Sequence, residues 1–435
     1  MKPRSLADWL TYLEQLHPVA IDMGLERSRK VLDRLRLGPL ATRVITVTGT
    51  NGKGSTCAFL ASLLARQGLR VGVYSSPHLI RYNERVRLDG REASDAQLCA
   101  AFEAVEAARG DTTLTYFEMG TLAAFWLFAS ANLDAVVLEV GLGGRLDTVN
   151  LIDADLALVT SIGIDHAEWL GNTRESVAFE KAGILRAGRP ALCGDPSPPQ
   201  PLVDVAQAKG CPLLVRGVAF DLTMGDAAWQ WRGQGTDGQA LALSDLPLLD
   251  LPMENAALAL QAFALLAQPW RRAEIVQALL AARVTGRLDR RCIDWRGKPL
   301  RLLLDVGHNP HAAQYLSRRL AGGAAPAKRH AVFGLLADKD LPGVVEPLLP
   351  CIGDWAVTPL PSPRSRPASE LDGALANLGA RVTSHGSVED ALAHQCEQAG
   401  AHDEILVFGS FYCVAEALQW LERHGLEVAV DGFAG

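Results

Sequence analysis

Apolar and polar positions alternate between two periods along the first two-thirds of the chain. Arg43–Thr48 is a β-branched apolar run and reads as a strand. Ser55–Arg66 repeats at helical spacing and stops at Gly68. Val71–Tyr74 reads as a second strand and Met119–Asn132 as a buried helix. Asp134–Val140 and Asp155–Ile162 are rich in Val, Leu and Ile, the pattern of strands covered on both faces. Such an order predicts an α/β fold with a mainly parallel sheet and helices on both sides. Met1–His17 carries Asp8 and Glu14 inside its apolar pattern, so it reads as an amphipathic helix rather than a leader.

Residues 194–250 depart from that pattern. Asp195–Pro201 is Pro-rich and reads as loop, and the weak alternation of Phe220–Trp231 reads as a hairpin or meander at a sheet edge. Met253–Leu266 is helical again. A second cycle starts near residue 297, with strands at Arg301–Asp305, Ala331–Leu335 and Glu404–Phe408, each followed by a loop and a helix. Polar and basic residues at Arg287–Lys298 interrupt two apolar patterns, so two domains are expected, 1–290 and 296–435.

Composition narrows the function classes. The 435 residues are 49% apolar and 21% charged, which excludes disorder and fibrous repeats as the main state. Forty-two Lys and Arg against 49 Asp and Glu give a net charge of −7, which argues against general nucleic-acid binding. No apolar stretch is long enough for a membrane span. The eight cysteines form no C-x-x-C pair and read as reduced core residues of a cytoplasmic chain, not as a zinc site.

The sharpest chemistry lies in Gly49-Thr50-Asn51-Gly52-Lys53-Gly54-Ser55-Thr56, between the first strand and the following helix. Glycines let amide N–H groups converge on an anion at a helix N-terminus, and Lys53 can reach phosphate oxygens. The spacing departs from the usual G-x-x-x-x-G-K-[ST], since two residues separate Gly49 from Gly52 and Gly54 intervenes before Ser55. The bland alternative is a glycine turn with a solvated lysine. Glu139 ends an apolar strand, where a carboxylate meets ligands of an open sheet and suits Mg²⁺, or else forms a surface ion pair. His166 follows the next strand as a ligand or a plain hydrogen-bonding histidine. Lys181, on the expected helix Glu175–Ala182, reads on its own as a solvated charge.

Taken in order, these stretches resemble the Mur ligase superfamily of ATP-dependent amide-bond ligases, and within it the folylpolyglutamate synthase branch. Ser75-Ser76-Pro77-His78-Leu79, Glu139–Asn150, Ser161–His166, Glu180–Ile184, Asp305–Pro310, Phe333–Asp340 and Gly409-Ser410-Phe411 carry the resemblance over nearly the whole chain. Ile21–Arg27 and His78–Arg87 resemble bifunctional members that make both dihydrofolate and folylpolyglutamates. The resemblance implies a P-loop-type N-terminal ATPase domain and a smaller Rossmann-like C-terminal α/β domain.

It also implies roles. One Mg²⁺ would be held by Ser55 or Ser76, Glu139 and ATP phosphates and another by His166, with Lys181 carbamylated and catalysis shared by Lys53, Lys181 and His166. Thr56 and Ser75 leave the choice of hydroxyl open. ATP would meet Gly49 to Ser55, Asn255, Arg287, Asp305 and His308, whose bland readings are a helix cap for Asn255, an ion pair for Arg287 and an N-cap for Asp305. The pterin substrate would meet Asp22, Gly24, Arg81, Phe117, Glu118, Leu146, Asp147 and Thr148. Arg81, Arg85 and Arg87 alternate along an extended segment, for glutamate carboxylates or for solvent. Expected partners are the small molecules ATP, L-glutamate, dihydropteroate and tetrahydrofolate, with a monomer and neither nucleic acid nor membrane. Two competitors are a cell-wall amide ligase, disfavoured by the roughly 40 residues before the first strand, and an ATP-hydrolysing switch, disfavoured by Asp305–Pro310.

Overall fold

β1 (Ala41–Thr48), β2 (Val71–Tyr74), β3 (Val86–Leu88), β4 (Arg91–Glu92), β5 (Leu133–Glu139), β6 (Leu156–Val159), β7 (Ala191–Cys193) and β8 (Leu213–Val215) form one sheet, ordered β4-β3-β2-β5-β1-β6-β7-β8. Pairing is parallel from β2 to β8, and the short β3 and β4 turn back antiparallel at one edge. The structure, a computed structural model, describes residues 5–322 and 326–426, so Met1–Arg4 of the expected first helix lie outside it. It divides into two units between Arg283 and Val284, each described by itself below.

Helices of the first unit are α1 (Leu6–Gln15), α2 (Glu26–Leu35), α3 (Lys53–Arg66), α4 (Asp95–Arg109), α5 (Tyr116–Ser130), α6 (Ala167–Leu170), α7 (Arg174–Ala182), α8 (Gln200–Ala208), α9 (Met253–Leu265) and α10 (Arg272–Ala281). Buried side chains of α1, α4, α5, α7 and α8 join Val136 and Leu138 of β5 in one core. Val137 between them is equally buried and, by the period of two, serves the opposite face. α9 and α10 both pack on α3. The near absence of polar residues from α5 follows, since ten of its fifteen positions are buried.

Three local expectations are corrected. Asp195–Pro201 is not all loop, because α8 starts at Gln200 and Pro201 sits in its first turn, where a missing N–H costs no helical bond. Phe220–Trp231 does not edge the main sheet. It belongs to a separate antiparallel sheet of β9 (Asp221–Met224), β10 (Ala228–Gln234) and β11 (Ala240–Pro247), seated on α9 through Trp231 Nε1 donating to the Ala257 carbonyl at 3.0 Å. The strand expected to reach Ile162 stops at Val159, and Thr160–His166 is loop.

The second unit carries β12 (Asp289–Trp295), β13 (Lys298–Asp305), β14 (Arg329–Phe333), β15 (Asp354–Val357), β16 (Val382–Ser384) and β17 (Glu404–Phe408), ordered β12-β13-β17-β14-β15-β16. All neighbours are parallel except β12 with β13. α11 (Pro310–Ala321), α12 (Leu341–Val345), α13 (Ala368–Asn377), α14 (Val388–Gln398) and α15 (Phe411–His424) complete it. The polar stretch after Arg287 is therefore a strand. Ile293 and Trp295 are buried while Arg290 and Asp294 face solvent, as an edge strand requires. The chain is α/β throughout, a P-loop-type parallel sheet followed by a smaller Rossmann-like unit.

Candidate active site

In the main sheet β1 lies between β5 and β6, and the chain leaves β1 toward β2 but enters β6 on the other side. A ligand crevice opens at the carboxyl ends of the strands flanking such a reversal. The carboxyl ends of β1, β5 and β6 carry Thr48, Glu139 and Val159.

The glycine loop after β1 is clamped by the loop after β6. Thr50 N donates to the Ser161 carbonyl at 2.9 Å, and Asn51 N to Ser161 Oγ at 3.0 Å. Thr160 Oγ1 donates to the Asn51 carbonyl at 2.6 Å, and Thr50 Oγ1 to the Gly163 carbonyl at 2.9 Å. Two glycines are obligatory. A Cβ on Gly49 would lie 1.8 Å from Thr160 Oγ1, and one on Gly52, at φ +89°, would lie 2.5 Å from Asn255 Oδ1. Gly52 caps α3, whose first amides have no partner inside the helix and present partial positive charge. Lys53 Nζ folds back to the Gly49 carbonyl at 3.0 Å. Thr160 lies just outside the stretch Ser161–His166 that the sequence marks, although a hydroxyl ending an apolar run was the available signal.

Asn255 is no helix cap. It lies inside the first turn of α9, and its Nδ2 donates to Ser55 Oγ at 2.7 Å. Ser55 Oγ also donates to the Gly52 carbonyl at 3.1 Å. Ser76, by contrast, has no hydrogen-bond partner for its hydroxyl among the described residues. Glu139 is 5% exposed at the end of β5, paired in register with Val47 of β1. Its charge and that of Lys53 both act on the buried Cys57 thiol, whose pKa burial pushes up.

The solvated reading of Lys181 is overturned. It is 2% exposed, and burial together with the Lys53 charge pulls its pKa down from 10.5 to about 7, against the pull of Asp165. His166 follows Asp165 as an exposed residue at φ 51°, heading α6. Asp147 is buried and its acid is pushed up to about 6 by desolvation, held back by the amides of Leu142, Val149 and Gly141 and by Lys53. These shifts place Lys53 within electrostatic reach of both Lys181 and Asp147.

Of the expected pterin residues, Asp22, Glu118 and Thr148 form a second cluster in this unit. Glu118, 3% exposed, accepts from Thr115 N at 2.7 Å, Arg27 Nη2 at 2.9 Å and Ser28 Oγ at 3.0 Å. Ser28 Oγ lies 3.5 Å from Thr148 Oγ1, and Arg27 Nη1 pairs with Asp22 at 2.7 Å. Glu118 is thus the hub, linked through Arg27 to Asp22 and through Ser28 to Thr148. The Phe117 ring packs on Gly141, within 2.7 Å of where a Cβ would stand. Leu146 is half-buried beside Asp147, and Gly24 opens on empty space.

The three arginines do not share one extended face. Tyr82–Arg85 is a 3₁₀ turn. Arg81 is exposed and pairs with Glu92 at 2.7 Å, Arg87 reaches the same carboxylate at 3.7 Å, and Arg85 is buried. In the second unit Asp305 is no N-cap, since Asn309 caps α11. Asp305 accepts from Leu288 N at 3.0 Å and Gly307 N at 2.8 Å, and its pKa is raised by burial against the pull of Arg287. Arg287 stacks on Phe411 at 5.4 Å, and His308 Nδ1–H donates to the Val306 carbonyl at 2.8 Å.

Residues 47–191 match the Mur ligase middle domain, and residues 286–411 the Mur ligase glutamate ligase domain. The dihydrofolate synthase/folylpolyglutamate synthase of Escherichia coli is 45% identical, over 96% of this chain and 96% of its own. This chain belongs to that family. Its counterpart from Haemophilus influenzae is 42% identical, over 94% of this chain and 96% of its own. Escherichia coli FolC in complex with DHPP and ADP superposes with a TM-score of 0.90 at 44% identity, covering 97% of this chain and 99% of that one. A bifunctional folylpolyglutamate synthase/dihydrofolate synthase with Mn, AMPPNP and L-glutamate bound superposes at 0.87, with 44% identity, 96% of this chain and 98% of that one. Among the described residues no helix is long and apolar enough to cross a membrane.

Proposed function

We propose that this chain is an ATP-dependent acid–amino-acid ligase. It joins L-glutamate to dihydropteroate, forming dihydrofolate, and to tetrahydrofolate, forming polyglutamates. One observation supports this reading above the others. A clamped glycine loop and a buried carboxylate stand at one strand-end crevice, with a buried lysine in electrostatic reach of Lys53, in a chain whose relatives are named for this activity.

A carboxylate is a poor electrophile. A substrate carboxylate oxygen attacks the γ-phosphorus of ATP, the bond to the β-phosphate oxygen breaks, and an acyl phosphate and ADP result. The neutral amine of glutamate then attacks the acyl carbon, the amine proton is lost to solvent or base, and phosphate leaves. The chain's work is positioning and charge neutralisation. The amides of Gly52 to Ser55 and Lys53 hold phosphate oxygens, with Asn255 fixing Ser55. By the family resemblance, Arg287, Asp305 and His308 also serve the nucleotide. Asp22, Gly24, Arg81, Phe117, Glu118, Leu146, Asp147 and Thr148 serve the pterin substrate.

The residues fit a small dication taken up with nucleotide. Among the described residues no three His, Cys, Asp or Glu side chains converge into a protein cage. Buried Glu139 with Ser55 or the unpartnered Ser76 hydroxyl for one Mg²⁺, and His166 for another, would leave most ligand positions to phosphate and water, the usual Mg²⁺ arrangement. When bound, Mg²⁺ would offset charge on the transferring phosphoryl group. Lys181 suits carbamylation, because CO₂ combines only with the neutral amine and releases a proton. The carbamate would turn the Lys53–Lys181 repulsion into attraction. We place the enzyme in the cytoplasm as a monomer.

The test is ATP-dependent phosphate release with Mg²⁺ and L-glutamate, with dihydropteroate, tetrahydrofolate or no pterin. Release with both, and products one glutamate heavier, is expected. Release with tetrahydrofolate alone would leave a polyglutamate synthase, and release without pterin would favour the switch.

A further inference from the structure

The loop Ser75–Arg81 leaves the end of β2 and carries Ser76, yet it has no regular structure to satisfy its amides. Two neighbouring side chains supply what is missing. Glu84 accepts from three successive backbone N–H groups, Leu79 and Ile80 at 2.8 Å and Arg81 at 2.7 Å. A carboxylate is the one side chain able to accept all three without presenting a donor to any. Arg85 Nε donates to His78 Nδ1 at 2.8 Å, and Ser75 N donates to the Arg85 carbonyl at 3.0 Å. Ser76 therefore sits between anchored positions on both sides, and its own hydroxyl is left without a protein partner among the described residues.

Arg85 is an unusual residue to bury. It is 8% exposed and its guanidinium lies over the rings of Tyr82 at 5.3 Å and Tyr116 at 5.5 Å. No carboxylate among the described residues pairs with it. A buried cation held by rings and an imidazole gains little neutralisation, so its directional bond to His78 is the contribution that accounts for its place. That bond also fixes His78 with its proton on Nε2.

We propose that Glu84 and Arg85 are positioning residues, which bracket the Ser75–Arg81 loop and present the Ser76 hydroxyl to the metal of the bound nucleotide. This rests on assigning Ser76 to that metal. Neither residue touches the reacting atoms. They act through the loop, as outer partners of metal ligands do elsewhere, where their loss weakens metal binding by about 10- to 100-fold.

The experiment measures Mn²⁺ affinity by paramagnetic resonance of free Mn²⁺, on the full chain with a non-hydrolysable ATP analogue. Variants are Ser76→Ala, Glu84→Ala, Ser76→Ala/Glu84→Ala and the milder Glu84→Gln, which retains one acceptor oxygen should Glu84→Ala fail to fold. The bracket predicts about 10-fold or greater loss of Mn²⁺ affinity in Glu84→Ala. It also predicts that the double variant is no weaker than Ser76→Ala, and that the dihydropteroate KM holds. Wild-type Mn²⁺ affinity in both Glu84 variants, with Ser76→Ala weakened, overturns the bracket and keeps the Ser76 assignment. Additive losses in the double variant overturn it too. Unchanged affinity in Ser76→Ala removes the assignment and the bracket together.

Discussion

Lys181→Met tests the burial argument at its most exposed point. In the folded chain the Lys181 ammonium is pulled down from 10.5 to about 7 by desolvation and by Lys53. In the unfolded chain it keeps its ordinary value near 10.5, so between about pH 7 and 10.5 the unfolded state binds one more proton. Stability contributed by this group therefore rises as pH rises through that window, and below about pH 7 the folded chain carries the full cost of a buried charge. The whole shift corresponds to about 5 kcal/mol, of which about 2 kcal/mol is recovered between pH 7 and 9. Met at this position has similar length and no charge. Urea unfolding in CO₂-free buffer is the assay. The wild-type curve should climb by about 2 kcal/mol relative to Lys181→Met between pH 7 and 9, and the variant should be the more stable protein at neutral pH. Added bicarbonate should stabilise the wild type alone, because carbamate formation traps the neutral amine. Parallel stability–pH curves for the two proteins would refute the reasoning, since a lysine that titrates normally is not buried against Lys53.

The other predictions concern single contacts. Asn255→Leu removes the donor to Ser55 Oγ and should raise the KM for ATP about 10-fold, leaving the pterin KM unchanged in steady-state assays. Glu118→Gln should do the reverse, raising the dihydropteroate KM about 10-fold with ATP unaffected, because it loosens Arg27 and Ser28. Gly49→Ala should fold, by circular dichroism, yet lose about 100-fold or more in ATP-analogue affinity by calorimetry, because its methyl collides with Thr160 Oγ1 and must displace the clamp.

The glycine loop was legible because its parts are adjacent in sequence, with strand, glycines, Lys53, hydroxyl and helix in order. Glu139 and His166 were legible for a related reason, as polar residues just beyond apolar runs. Lys181 was not. Its burial arises where α7 packs on α8 and on the Gly144–Arg145 turn, and nothing in Glu180-Lys181-Ala182-Gly183 distinguishes it from a solvated lysine. The arginines at 81, 85 and 87 misled because alternation was read as extension, whereas Glu84 draws three amides toward itself and curls the chain into a 3₁₀ turn. Asp289–Trp295 misled because an edge strand buries one face only, so its polar half resembled a linker. Asn255 and Asp305 stood out by motif, but their partners, Ser55 and the amides of Leu288 and Gly307, are tertiary and silent in local sequence.

The central claim is that glutamate is joined through an acyl phosphate, and the fate of one oxygen atom tests it most directly. Dihydropteroate labelled with heavy oxygen in its carboxylate would be turned over with ATP, Mg²⁺ and L-glutamate, and the released phosphate analysed by mass spectrometry. The account predicts one labelled oxygen in each phosphate and the other retained in the new amide carbonyl. Unlabelled phosphate alongside a glutamylated product that retains the carbonyl label would contradict it, since the carboxylate oxygen would then never have bonded to phosphorus.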